Sequence, residues 1–109
     1  RSAADVLQPD VTWSGGITEM RKICALAAAH DLPVIPHIGG CFSYHLVMAH
    51  TNCPMAEYQF QGAGTDQIAP IHPMFDGEPL PVEGYIHLTD APGFGIELRS
   101  DARLHRPFN

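Results

Sequence analysis

Between residues 5 and 60 short apolar runs alternate with stretches of helical period, and this alternation constrains the fold more than any other feature of the chain. The first run, around Val6 and Leu7, stops at Pro9 and Asp10, where proline has no amide to give a ladder. Gly15 and Gly16 then make a loop and Thr18 is a candidate cap. Met20, Ile23, Cys24, Ala27 and Ala28 recur at i, i+3, i+4, i+7 and i+8, one apolar face of a helix that ends near His30 and Asp31. LPVIPH, residues 32–37, is a second run, closed by Gly39 and Gly40, and a second helix is expected over residues 42–50 with Phe42, Leu46 and Ala49 on one face. MAEYQF, residues 55–60, reads as a third strand. Strand, helix, strand, helix, strand, with strands too apolar for a half-exposed sheet, predicts an α/β fold in which helices cover a parallel sheet.

Beyond residue 62 prolines and glycines recur too densely for a long helix, so residues 63–109 are expected to form an irregular tail of turns, apart from the α/β unit of residues 1–62. YIHL, residues 85–88, and FGIEL, residues 94–98, are its strand candidates. A formal charge of −6 with six Lys plus Arg argues against nucleic acid, which demands a clustered basic face. No apolar run nears the roughly 20 residues of a membrane span, and Arg1 begins the chain with neither a charged n-region nor an apolar h-region, so a secretory signal is not expected. Cys24, Cys41 and Cys53 are odd in number and lack CxxC spacing, which suits reduced thiols packed as small hydrophobes and a cytoplasmic setting.

In parallel α/β folds every strand delivers its last residue to one rim, where the chemistry sits. Asp10 ends the first run and His37 the second, with Glu57 in the third; the intervals of 27 and 20 residues each suit one helix, one strand and their loops. Adjacent strands lie about 4.8 Å apart, so Asp10 is expected to hydrogen-bond His37, fixing its tautomer and favouring its protonated ring as a general base requires. The glycines after His37, Gly39 first, would leave room for a substrate, and Trp13 is either a loop packing residue or one wall of a pocket. Each residue taken singly has a plainer reading: a packed strand-end histidine, a turn aspartate, a solvated glutamate. Their coincidence at consecutive strand ends puts catalysis on an equal footing with those plainer readings. No metal centre is read: His45 and His50 are five apart, and His30, His72, His87 and His105 are scattered. His30 suits a helix C-terminus, and GGITEM lacks the spacing of a phosphate loop.

The segment DVLQPDVTWSGGITEMRKICALAAAHDLPVIPH resembles the sixth strand, sixth helix and seventh strand of the mandelate racemase subgroup of the enolase superfamily, and MAEYQF its eighth strand. EPLPVEGYIHLTDAPGFGIEL resembles the segment that leaves the barrel and returns to the capping domain. Within the subgroup the likeness is to L-rhamnonate dehydratase-type sugar-acid dehydratases, the closing LHRPF included. The resemblance implies the last strands of a (β/α)8 barrel and a Mg²⁺-dependent enzyme. That enzyme would take the proton α to a carboxylate of an acid sugar and expel the β-hydroxyl as water. It assigns Asp10 and His37 to a base/acid dyad and Glu57 to stabilisation of the developing enediolate, as an electrostatic partner. The Mg²⁺ ligands are implied to lie on upstream strands outside this chain, so no residue here is assigned to the metal, and the longer form is expected to be a homo-oligomer. A racemase or epimerase of the same superfamily, and a truncated chain with a purely structural role, are the alternatives.

Overall fold

The structure, a computed structural model, describes residues 3–60 and 67–103. The expected boundary between residues 62 and 63, Gly62, Gly64, His105 and the LHRPF segment lie outside the described residues, as does Arg1. Two helices, α1 (Gly16–Ala28) and α2 (Gly40–Ala49), are followed by two short strands, β1 (Phe75–Asp76) and β2 (Glu97–Leu98).

The first two apolar runs pair in parallel, with Leu7 opposite Val34 and Asp10 opposite His37. The amide of Leu7 donates to the Pro33 carbonyl at 3.0 Å, that of Ile35 to Leu7 at 2.9 Å and that of His37 to Pro9 at 3.0 Å. The expected strands are thus present only as a pair of bridges. Pro9, Pro33 and Pro36 have no amide hydrogen, which breaks a continuous ladder. The third run departs further from expectation: Val34 donates to the Asn52 carbonyl at 2.9 Å, and residues 53–60 run on without a paired strand.

α1 begins at Gly16 rather than at a Thr18 cap. Gly15 precedes it at φ 96°, a left-handed conformation that glycine tolerates, and a Cβ there would come within 2.8 Å of Glu19 Cγ. Met20, Cys24 and Ala27 are buried, on the face the sequence marks, whereas Ala28 is exposed. At the far end Asp31 takes φ 55° while the amide of Leu32 returns to the Ala27 carbonyl at 2.9 Å, the backbone reversal that usually recruits glycine. That face seals two small cores. Cys24, Ala27, Val34 and Cys53 form one, flanked by Leu7, Leu32 and Val47; Val11, Met20 and Leu46 form the other, flanked by Ile17, Ile23 and Phe42.

α2 starts two residues before its expected limit and buries Gly40, Cys41, Ser43, Tyr44 and Leu46, while Ala49 is exposed. Such all-round burial follows from its position between α1 and the tail. Phe42 meets Phe94 edge-to-face at 4.9 Å and His72 at 5.1 Å, the offset geometry that aromatic quadrupoles favour. Within the tail β1 pairs antiparallel with β2, Phe75 opposite Leu98 and Asp76 opposite Glu97. The sequence offers no sign of β1, and FGIEL contributes only its Glu97 and Leu98. YIHL is not a strand; Tyr85 alone pairs, closing a tight turn onto Val82 through Glu83 and Gly84, both at positive φ. All three cysteines are reduced and buried. Burial pushes the Cys53 thiol up to about 12 and the Cys41 thiol up to about 11. Among the described residues no helix is long and apolar enough to cross a membrane.

Candidate active site

The parallel register brings the ends of the first two runs side by side, and there the candidate residues meet. His37 Nδ1 lies 2.9 Å from Glu57 Oε2, and the same oxygen accepts the Ile38 amide at 2.7 Å. An ionised carboxylate only accepts, so Nδ1 carries the proton and the lone pair of the neutral ring is left on Nε2. The His37 side chain is 46% exposed, enough for that nitrogen to meet a solute. The backbone here is strained: Ile38 sits at φ 42°, an outlier for a β-branched residue. The Glu57 bond to its amide and a 2.7 Å bond from Ser43 Oγ to its carbonyl hold it there, and strain so fixed is a feature of functional sites.

The expected Asp10–His37 hydrogen bond is not formed. Asp10 Oδ1 turns instead into its own loop, accepting from the Thr12 hydroxyl at 2.6 Å, the Thr12 amide at 2.7 Å and the Trp13 amide at 3.0 Å. A short polar side chain competes for backbone donors within reach, and the hydroxyl of Thr12 adds a third. Burial acts to raise the Asp10 carboxyl, but these three bonds and the nearby His37 outweigh it and hold the group below its ordinary value. The fold unites Asp10, His37 and Glu57 at one edge with the imidazole serving Glu57 directly and Asp10 through charge alone.

Since the folded Asp10 carboxyl titrates below the unfolded one, its stabilisation is complete above the unfolded value and fades as pH falls through the folded value. Asp10→Ala is therefore expected to cost about 1 kcal/mol at neutral pH, as for loss of a cap, and progressively less in acid. Urea unfolding of both proteins across that range measures the difference, and a penalty independent of pH would refute the assignment.

Trp13, whose amide donates to Asp10 Oδ1, is 89% exposed. Gly39 is buried and precedes α2 at φ 78°, a left-handed conformation that glycine tolerates at the helix start. A separate groove of about 520 Å³, walled by Val47, Met48, Met55, Phe60, Tyr85 and Leu88 among others, excludes the three polar residues. Its apolar lining does not suit a polyhydroxy acid.

Residues 1–102 match the family described as enolase C-terminal domain-like. The chain belongs to that family. Among solved structures it resembles L-rhamnonate dehydratase from Gibberella zeae, with 42% identity over 88% of this chain and a TM-score of 0.80. The rhamnonate dehydratase from Gibberella zeae complexed with Mg gives the same identity and score. An Agrobacterium radiobacter enolase described as a candidate galactarate dehydratase, bound to Na and L-malate, follows at 33% identity over 88% of the chain, with a TM-score of 0.71. The chain spans 25%, 24% and 28% of the length of these three proteins. Its α/β architecture is that of part of an enolase C-terminal domain-like fold.

The described residues of this enolase C-terminal domain-like chain do not fit Mg²⁺. That ion requires near-octahedral oxygen ligation, yet Asp10 Oδ1 is taken by its turn and Glu57 Oε2 by two donors. The described group that does converge, Cys41, His72 and Glu78, offers one carboxylate oxygen beside a sulfur and a nitrogen, which is not the all-oxygen shell that Mg²⁺ takes. The sequence reading leaves His72 among scattered histidines, takes Cys41 as a packed reduced thiol and does not single out Glu78.

Proposed function

We propose that this chain is the carboxy-terminal portion of the barrel of a sugar-acid dehydratase acting on L-rhamnonate or a related acid sugar, and that His37 is its proton carrier. The observation that supports this reading is the 2.9 Å contact of His37 Nδ1 with Glu57, which leaves Nε2 as the basic atom on a half-exposed ring. Nε2 would take the proton from the carbon α to the substrate carboxylate. The electron pair left behind moves into an enediolate, and its return expels the β-hydroxyl. The proton on Nε2 passes to that departing oxygen, which leaves as water, and the enol product tautomerises to a 2-keto-3-deoxy acid. Glu57 fixes the ring and its tautomer, while Asp10 adds negative potential beside it. The Mg²⁺ requirement belongs to this proposal as well, with its ligands assigned to parts of the longer enzyme outside this chain.

The test is incubation of the intact protein that carries this sequence with L-rhamnonate, other acid sugars and Mg²⁺. Appearance of a 2-keto-3-deoxy acid is expected. Deuterium uptake at the α-carbon with inversion and no keto product would replace dehydration by epimerisation, and absence of both would leave the chain a structural role.

A further inference from the structure

We propose that Cys41, His72 and Glu78 form a second site, made of residues that take no part in the proton transfer, that binds one divalent transition-metal cation of the zinc type and clips the tail onto the start of α2. Cys41 Sγ, a nitrogen of His72 and a carboxylate oxygen of Glu78 all lie within 4.8 Å of one another. His72 Nδ1 and Glu78 Oε1 are 3.5 Å apart, beyond the 2.7–3.2 Å of a good N–H···O bond. The distance is instead close to the roughly 3.4 Å between two ligands each about 2.0–2.1 Å from one tetrahedral ion.

Both of those atoms are buried and, among the described residues, without a hydrogen-bond partner. The Glu78 side chain is 1% exposed and Cys41 is fully buried. A carboxylate oxygen left unpaired at that depth destabilises the fold unless something positive meets it. The other oxygen, Oε2, accepts the His72 amide at 2.8 Å, which anchors the carboxylate with Oε1 toward the imidazole. The imidazole is itself set edge-on against Phe42 at 5.1 Å and Phe75 at 6.5 Å, so two of the three ligands are oriented in advance. Gly40 completes the cradle. At φ +49° it carries no side chain where a Cβ would overlap Glu78 Oε1 and stand 2.9 Å from His72 Nδ1.

The donor set selects the ion. A thiolate with an imidazole and one carboxylate suits Zn²⁺ and disfavours Mg²⁺ and Ca²⁺, which take oxygen. A thiolate and a carboxylate together neutralise a dication, so the assembled unit carries no net charge into the interior. His72, a quarter exposed on its side chain, gives the ion its path in, and water completes the fourth position. The consequence is mechanical: α2 follows directly on His37, Ile38 and Gly39, so an ion joining residues 72–78 to its first turn also steadies the loop that carries the candidate base.

The full chain, reduced and metal-free, is titrated with Co²⁺, displaced with Zn²⁺ and competed with a chelator. One ion per chain is expected, with thiolate-to-cobalt charge-transfer absorption and a higher unfolding temperature with Zn²⁺ present. Cys41→Ser should abolish the charge-transfer band and weaken Zn²⁺ binding by at least about a hundredfold, the upper range for losing even an outer-shell partner. A Cys24→Ser/Cys53→Ser double variant should leave the band unchanged. Circular dichroism of the metal-free forms reports folding, and where Cys41→Ser unfolds, His72→Ala carries the same test from a partly exposed position. Absence of stoichiometric binding, a band that survives in Cys41→Ser, or one that vanishes with Cys24 and Cys53 would each overturn the proposal.

Discussion

Replacing His37 by asparagine is expected to lower acid-sugar dehydration by at least about a hundredfold in kcat, the usual scale for a positioned general base, with KM little changed. Asparagine keeps an N–H that can reach Glu57 and is smaller than imidazole, so neither the 2.9 Å contact nor the surrounding packing forbids it. What disappears is the second nitrogen, the atom that would receive the α-proton. The substitution should therefore also stop exchange of the substrate α-proton with solvent deuterium, since no later step can occur if the first does not. Loss of dehydration with exchange intact would confine His37 to the departure of the hydroxyl. Full activity in both assays would reduce His37 to a packed strand-end residue and leave the Glu57 contact a matter of stability.

How much of this site was legible in the sequence is told by one interval. Asp10 and His37 are 27 residues apart, as are Leu7 and Val34, and both pairs face each other in the parallel register. A helix whose apolar face is plain in Met20, Cys24 and Ala27 returns the chain through a fixed distance, and the prolines and glycines around it mark where each run stops. The exchange of partners by Asp10 was not legible, because it depends on Thr12, whose amide and hydroxyl lie nearer than the neighbouring strand. The strands themselves shrink to bridges for a reason the sequence does carry in Pro9, Pro33 and Pro36, each of which subtracts a donor. Cys41, His72 and Glu78 had no local signature at all. Their meeting is made by the tail folding back through Phe42, Phe75 and Phe94, and no spacing rule reports a contact assembled by turns.

Met20→Ala is the stability change with the largest expected effect, about 2–5 kcal/mol, the range for truncating a buried methionine. Met20 is fully buried and packs in the core of Val11 and Leu46 with Ile17, Ile23 and Phe42 around it. Its removal opens a cavity where α1, α2 and the turn after Asp10 come together. Small domains hold only about 5–15 kcal/mol in total, so the variant gives up a large share of its margin. Leu26, on the opposite side of the same helix at 64% exposed, supplies the control: Leu26→Ala keeps the same helix-forming residue type and should change stability by no more than about 0.5 kcal/mol. Urea unfolding of the two variants beside the wild type separates burial from helix propensity. Equal losses would mean that this core contributes little. The unequal losses expected here carry a further consequence, since Val11 is the residue after Asp10: a cavity under Val11 loosens the strand end on which Asp10 faces His37, and activity should fall in Met20→Ala although no reacting atom has been touched.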